Sequence, residues 1–118
     1  MSSVWAYEFR SNKSRDDLLA LLNAGGPWTW QIRDSDRWRD YMQSRPSAAV
    51  RVRIHNPAAH IGRAGHTWTP HELGEWVEYT ARLEVESDSI ERSALDEIFL
   101  GLLRRAGVRD LREIESYA

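Results

Sequence analysis

All four histidines of the chain, His55, His60, His66 and His71, fall within seventeen residues. Imidazoles gathered by a glycine-containing loop can hold Zn²⁺ or another transition metal, with Glu72 as a further donor. The spacings match no established metal motif, which would place two ligands on one helical face. Solvated loop histidines are the stronger reading, and no metal or other cofactor is expected.

A second group is acidic. Asp34, Asp36 and Asp40 lie close together, and paired carboxylates can run general acid–base chemistry or bind a divalent cation. Arg33, Arg37 and Arg39 interleave with them, so neutralisation and turn formation by Asp34-Ser35-Asp36 are favoured. Asp40 is the exception to watch. Were the chain an enzyme, Asp40 or His55 would be its proton-transferring group.

The stretch from Trp28 to Tyr41 holds three of the six Trp residues, three Arg and three Asp. Strands rich in both Trp and Arg build cores, recognition surfaces or both. An aromatic and Arg-bearing sheet face is also how some modules hold single-stranded RNA. Here no such motif is present and the isoelectric point is about 6.1. Glu78, Glu84 and Glu86 also share a face with Arg51 and Arg53. Cross-strand Arg–Glu pairing on a solvated face is therefore expected, and nucleic acid is not an expected partner.

Other chemistries are excluded. There is no cysteine, so disulfides, thiolate metal sites and a Cys nucleophile are impossible. Gly25-Gly26 lacks the Lys and Ser/Thr of a phosphate-binding loop; Ser-His-Asp catalysis is not excluded by composition, but no Gly-x-Ser-x-Gly elbow exists. No secretory leader or membrane-length apolar run is visible, which predicts a cytoplasmic protein with no membrane partner. All but one of the sixteen basic residues are Arg, which we read as high-GC bacterial coding bias.

These residues need a frame to position them. The 118-residue length predicts one α+β domain over 1–118, large enough to bury roughly two thirds of its unfolded surface. Alternation over Val4–Arg10 predicts a strand with Trp5, Tyr7 and Phe9 on one face. Ser14-Arg15-Asp16-Asp17 resembles a capping box that opens a helix with Leu18, Leu19, Leu21 and Leu22 as its stripe, ended by Gly25-Gly26-Pro27. Trp28–Arg33 and Arg37–Gln43 predict a hairpin about Asp34-Ser35-Asp36, with Ile32 opposite Trp38 and Asp40 opposite Trp30. Arg45-Pro46-Ser47 breaks the pattern.

Ala49–His55 is the cleanest strand, with Val50, Val52 and Ile54 inward. A long loop follows at about 56–74, a length at which loops are usually functional or disordered. Within it, Trp68 can fold back over the sheet or anchor a partner. Glu75–Glu86 predicts a strand with Val77, Tyr79, Ala81, Leu83 and Val85 inward. Asp88-Ser89-Ile90-Glu91 resembles another capping box. It opens a helix to about Ala106 with Ile90, Ala94, Leu95, Ile98, Phe99, Leu102 and Leu103 as its stripe and Gly107 as its stop. Val108–Tyr117 predicts a final edge strand, although its apolar residues recur every third position.

The order β-α-β-β-β-β-α-β predicts a two-layer α+β sandwich. Its antiparallel sheet has about six strands and both helices on one face, a ferredoxin-like arrangement with an added hairpin. Residues 1–59 carry nine basic and six acidic side chains, and residues 60–118 carry seven and twelve. Such halves can pair with each other or drive self-association.

The leading functional expectation is a non-enzymatic interaction protein, of regulator, inhibitor or immunity type, that binds a protein partner or itself. Trp and Arg dominate interface hot spots, and the predicted contacts are Trp68, Trp76, Arg37 and Arg39. The alternative is a cofactor-independent enzyme or small-molecule binder in a ferredoxin-like dimer, its pocket lined by Tyr7, Trp28, Trp30 and Trp38. A homodimer fits either, because an antiparallel sheet leaves edge strands to pair.

Overall fold

Alternation along the strands decides the architecture. A computed structural model describes residues 3–35, 39–56, 76–87 and 89–117, with the backbone alone for 34, 35, 39, 40 and 115–117. The described elements are β1 (Ser3–Ser11), α1 (Arg15–Gly25), β2 (Trp30–Ser35), β3 (Arg39–Ser47), β4 (Val50–His55), β5 (Val77–Val85), α2 (Arg92–Arg105) and β6 (Arg109–Tyr117). The six strands form one antiparallel sheet in the order β2-β3-β4-β5-β1-β6. The α+β class is as expected. The strand order departs from a four-stranded ferredoxin-like sheet: β2 and β3 extend the β4 edge, and α1 leads into the far edge strand.

One face of the sheet is apolar from strand to strand. Trp5, Leu83 and Val52 lie in one cross-strand row, and Tyr7, Ala81 and Ile54 in the next. All are buried, and they share one cluster with Leu18 and Leu22 of α1 and Leu95, Phe99, Leu102 and Leu103 of α2. Phe99 is the hub. Its ring stacks against Trp28 at 6.2 Å and Trp30 at 6.0 Å and meets Tyr7 at 6.5 Å. Each such side chain contributes about 1.5–3 kcal/mol by leaving water.

Local signals place the helix ends. Ser14 caps α1, its Oγ accepting the Asp17 N–H at 3.0 Å, and Asp16 and Asp17 face the positive end of the helix dipole. Gly26 lets the end of α1 approach α2, since a Cβ there would stand 2.6 Å from Leu102 Cδ2. α2 ends on Gly107 at φ 78°. The Val108 N–H donates to Leu103 O, and the Gly107 N–H donates to Arg104 O, the paired bonds of a Schellman motif. The start of α2 differs from expectation. It begins at Arg92, after Glu91, whose side chain makes no cap bond, and Ala94 is exposed rather than in the stripe.

Two strand details also differ. In the β2–β3 hairpin, Ile32 pairs with Met42, Trp30 with Ser44 and Asp34 with Asp40. The turn therefore lies two residues later than expected, and Asp40 stands opposite Asp34 rather than Trp30. A two-residue shift of the turn keeps every side chain on its face, so alternation alone cannot detect it. Arg45-Pro46 does not end β3. It forms an irregularity between Ser44↔Val52 and Ser47↔Val50, where a strand proline is tolerated.

The period of three in β6 has a physical cause. Its register against β1 shifts twice, with an extra β6 residue each time. Asp110, at φ 55°, lies in the first irregularity and Ile114 in the second.

Both sheet edges are blunted. At β6 the bulges interrupt the ladder, and at β2 Asn23 of α1 occupies the outer backbone of Trp30. Trp30 N–H donates to Asn23 Oδ1 at 2.7 Å, and Asn23 Nδ2 donates to Trp30 O at 3.2 Å. The side-chain amide takes the place of a neighbouring strand.

Candidate functional site

The second face of the sheet carries the alternate residues of the same strands, and there the rows are charged. Arg51 lies opposite Glu84 and Arg53 opposite Arg82. Glu84 is the common acceptor. Arg51 Nη2 reaches Oε2 at 2.6 Å, Arg53 donates to Oε1, and Arg82 Nε lies 3.4 Å from Oε1. Partial burial pushes the Glu84 carboxyl up, but hydrogen bonds and charge from Arg51 and Arg53 outweigh it and hold it below its ordinary range. Burial lowers the Arg53 guanidinium; Glu84 offsets this in part and Arg51 adds repulsion, so the net shift is downward. The expected Arg–Glu pairing is present. Arg51 and Arg53 of the basic half of the sequence meet Glu84 of the acidic half here, whereas the Arg112–Glu8 pair joins the halves with the signs reversed.

Hollows open on this side among the described residues. One of about 340 Å³ is lined by Glu8, Phe9, Arg10, Glu78, Asp110, Leu111 and Arg112, at the first β6 irregularity. Its rim holds Arg10 3.9 Å from Asp110. Another, of about 140 Å³, lies beside Arg51 and Glu84. Near the first hollow, Trp76 precedes β5 and is partly buried, with the Arg109 guanidinium 4.0 Å above its ring. A stacked Trp–Arg pair has the composition of an interface anchor.

A third cluster went unforeseen in the sequence. Arg92 of α2 lies 5.0 Å from the Trp5 ring centroid, donates to Asp96 Oδ2 at 3.1 Å and to Tyr7 Oη at 3.3 Å, and pairs with Glu113 of β6. Trp5 Nε1 donates to Asp96 at 2.9 Å. Burial works against the Arg92 charge, but Tyr7, Asp96 and Glu113 prevail and raise its pKa. Burial also raises the Tyr7 hydroxyl, with Arg92 opposing and Asp96 assisting. These partners come from three elements, with Trp5 and Asp96 bonded across 91 residues of sequence, so only Arg92 and Asp96, one helical turn apart, left a local signal. The cluster ties α2 to β1 and β6.

The predicted site residues are dispersed. Trp76 is partly buried, immediately before β5. Tyr7, Trp28 and Trp30 are 6%, 7% and 2% exposed and pack ring to ring in the core. His55 is buried at the end of β4. Arg39 and Asp40 are described by backbone alone, in register with Ser35 and Asp34. Arg37, Trp38, Trp68, His60, His66 and His71 lie outside the described residues. Among the described residues no group of three or more His, Asp or Glu is placed to hold a metal ion. No described helix is long and apolar enough to cross a membrane. No family model matches the chain, and no curated protein matches it.

Proposed function

We propose that this chain is a non-enzymatic interaction protein, cytoplasmic and bacterial, that binds a protein partner through the sheet face opposite its helices. One observation carries the proposal. The aromatic residues of the core are stacked on one another, whereas the other face presents a half-buried Arg–Glu lattice towards the end of β5, with the Trp76–Arg109 pair at the start of that strand. Charged groups held in place by neighbours need little further ordering on binding, which favours recognition.

The blunted edges favour the face over edge-to-edge pairing as the route to any partner, a second copy included. Four strands, in the order β6-β1-β5-β4, together with α1 and α2, support our assignment of a ferredoxin-like sandwich extended by the β2–β3 hairpin. The absence of cysteine is in keeping with a reducing compartment.

The test is capture of a binding partner from the host lysate by the tagged chain, repeated with Trp76→Ala and, as a control on the helix side, Leu21→Ala. Loss of the captured protein with Trp76→Ala alone is the expected result. Retention by both variants would overturn the assignment of the face.

A further inference from the structure

We propose that the hollow at the first β6 irregularity is a binding site for a small zwitterion, an amino-acid-like ligand that carries an ammonium and a carboxylate. The proposal starts from two opposite charges that do not close on each other. Arg10 of β1 and Glu78 of β5 are direct cross-strand partners, and both line the hollow of about 340 Å³. Opposite charges in that position ordinarily pair. Here, among the described residues, the Glu78 carboxylate makes no ion pair or hydrogen bond. The Arg10 guanidinium turns towards β6 instead, its Nε 3.9 Å from Asp110, which is beyond hydrogen-bond distance and leaves its N–H donors to a ligand.

The neighbouring charges are otherwise engaged. Arg112 donates to Glu8. Arg109, the partner of Arg10 in β6, lies over the Trp76 ring. Arg10 is thus placed to donate to a carboxylate, and Glu78 to accept from an ammonium, on adjacent strands.

The backbone provides the space. Between Glu8↔Arg112 and Arg10↔Arg109, Phe9 alone stands opposite Asp110 and Leu111. Asp110 takes the left-handed conformation at φ 55°, which residues with a Cβ seldom adopt. Bulges and backbone outliers of this kind recur beside ligand sites. The volume lies at the lower end of the roughly 300–1,000 Å³ typical of small-molecule sites.

Charge selects the ligand class. An anion alone would meet Glu8, Glu78 and Asp110, and a cation alone would meet Arg10 and Arg112. A ligand with both charges offers each wall its opposite.

The test follows amide shifts of the full isotope-labelled chain by NMR at low salt. Glycine, β-alanine, γ-aminobutyrate and ε-aminocaproate are titrated in, a series of growing charge separation. The amine and the carboxylate of matching length serve as single-charge probes. At least one zwitterion is expected to bind about fivefold tighter than either of its single-charge counterparts, with shifts at Glu8, Arg10, Glu78 and Asp110. Arg10→Gln should abolish the advantage over the amine, and Glu78→Gln the advantage over the carboxylate. Both side chains are exposed, so neither change should disturb the fold. An advantage that survives both substitutions, equal binding of the single-charge probes, or no saturable shift from any zwitterion would overturn the proposal. Trp76-dependent capture of a partner is read separately, so failure of this site leaves the interaction role standing, and failure of that role leaves this site.

Discussion

The two faces of the sheet are made by the same strands, and they solve opposite problems. On the helix side, Trp5, Tyr7, Ala81, Leu83, Val52 and Ile54 are dry and close-packed. One residue away along each strand, Arg51, Arg53, Arg82 and Glu84 hold charge at partial exposure. The first face is held by area removed from water and tolerates no loss of volume. The second is held by a few directed contacts and by the strand pairing that the first face stabilises. The larger share of stability therefore resides on the helix side.

The sharpest way to break this comparison is to remove the core hub. Phe99→Ala deletes the ring that meets Tyr7, Trp28 and Trp30 and should cost about 3–5 kcal/mol in urea unfolding. A loss no larger than that of a surface substitution would mean that the aromatic cluster is not the core.

A pH titration probes the same side. Burial pushes the Tyr79 hydroxyl from 10.0 up to about 12. Above pH 10.0 the unfolded chain loses this proton while the folded chain keeps it. Stability is thus full below that pH and falls as pH rises toward about 12, by about 2–3 kcal/mol. Tyr79→Phe should flatten that alkaline decline in chemical denaturation; an identical decline in both proteins would place Tyr79 in contact with water.

The charged face should respond less, and at the other end of the pH scale. The Glu84 carboxyl titrates below its ordinary value of 4.5 when folded, so the folded chain binds fewer protons there than the unfolded one. Its contribution is present above pH 4.5 and is lost as pH falls through the lower folded value. Glu84→Gln should cost about 1–2 kcal/mol near neutral pH and little in acid. A cost that does not change with pH would assign Glu84 a packing role instead.

Smaller still is the cap outside both faces. Ser14→Ala should remove about 1 kcal/mol by leaving the Asp17 N–H without its acceptor. No change in thermal midpoint would mean that water replaces the hydroxyl at no cost.

What was legible in the sequence follows the same division. Face assignment was legible because alternation has a strict period, and it survived even where the hairpin turn lay two residues from its expected place. The caps Ser14 and Gly107 were legible because each is a local chemical device. The cross-strand meeting of Arg51 and Arg53 with Glu84 was legible from the same alternation. Register, the β6 irregularities and the Asn23–Trp30 bonds depend on which segments become neighbours, which no short window contains. Arg92 was missed for that reason, since Trp5, Tyr7 and Glu113 reach it only in the folded chain. Of the four predicted contacts, only Trp76 has a described side chain.

The central claim is that binding belongs to the charged face. Amide chemical-shift mapping by NMR, with the captured partner protein titrated into the isotope-labelled chain, tests it most directly. We expect saturable shifts concentrated at Arg51, Arg53, Arg82 and Glu84, with α1 and α2 unmoved. Shifts confined to the helices, or spread evenly over the surface, would contradict it.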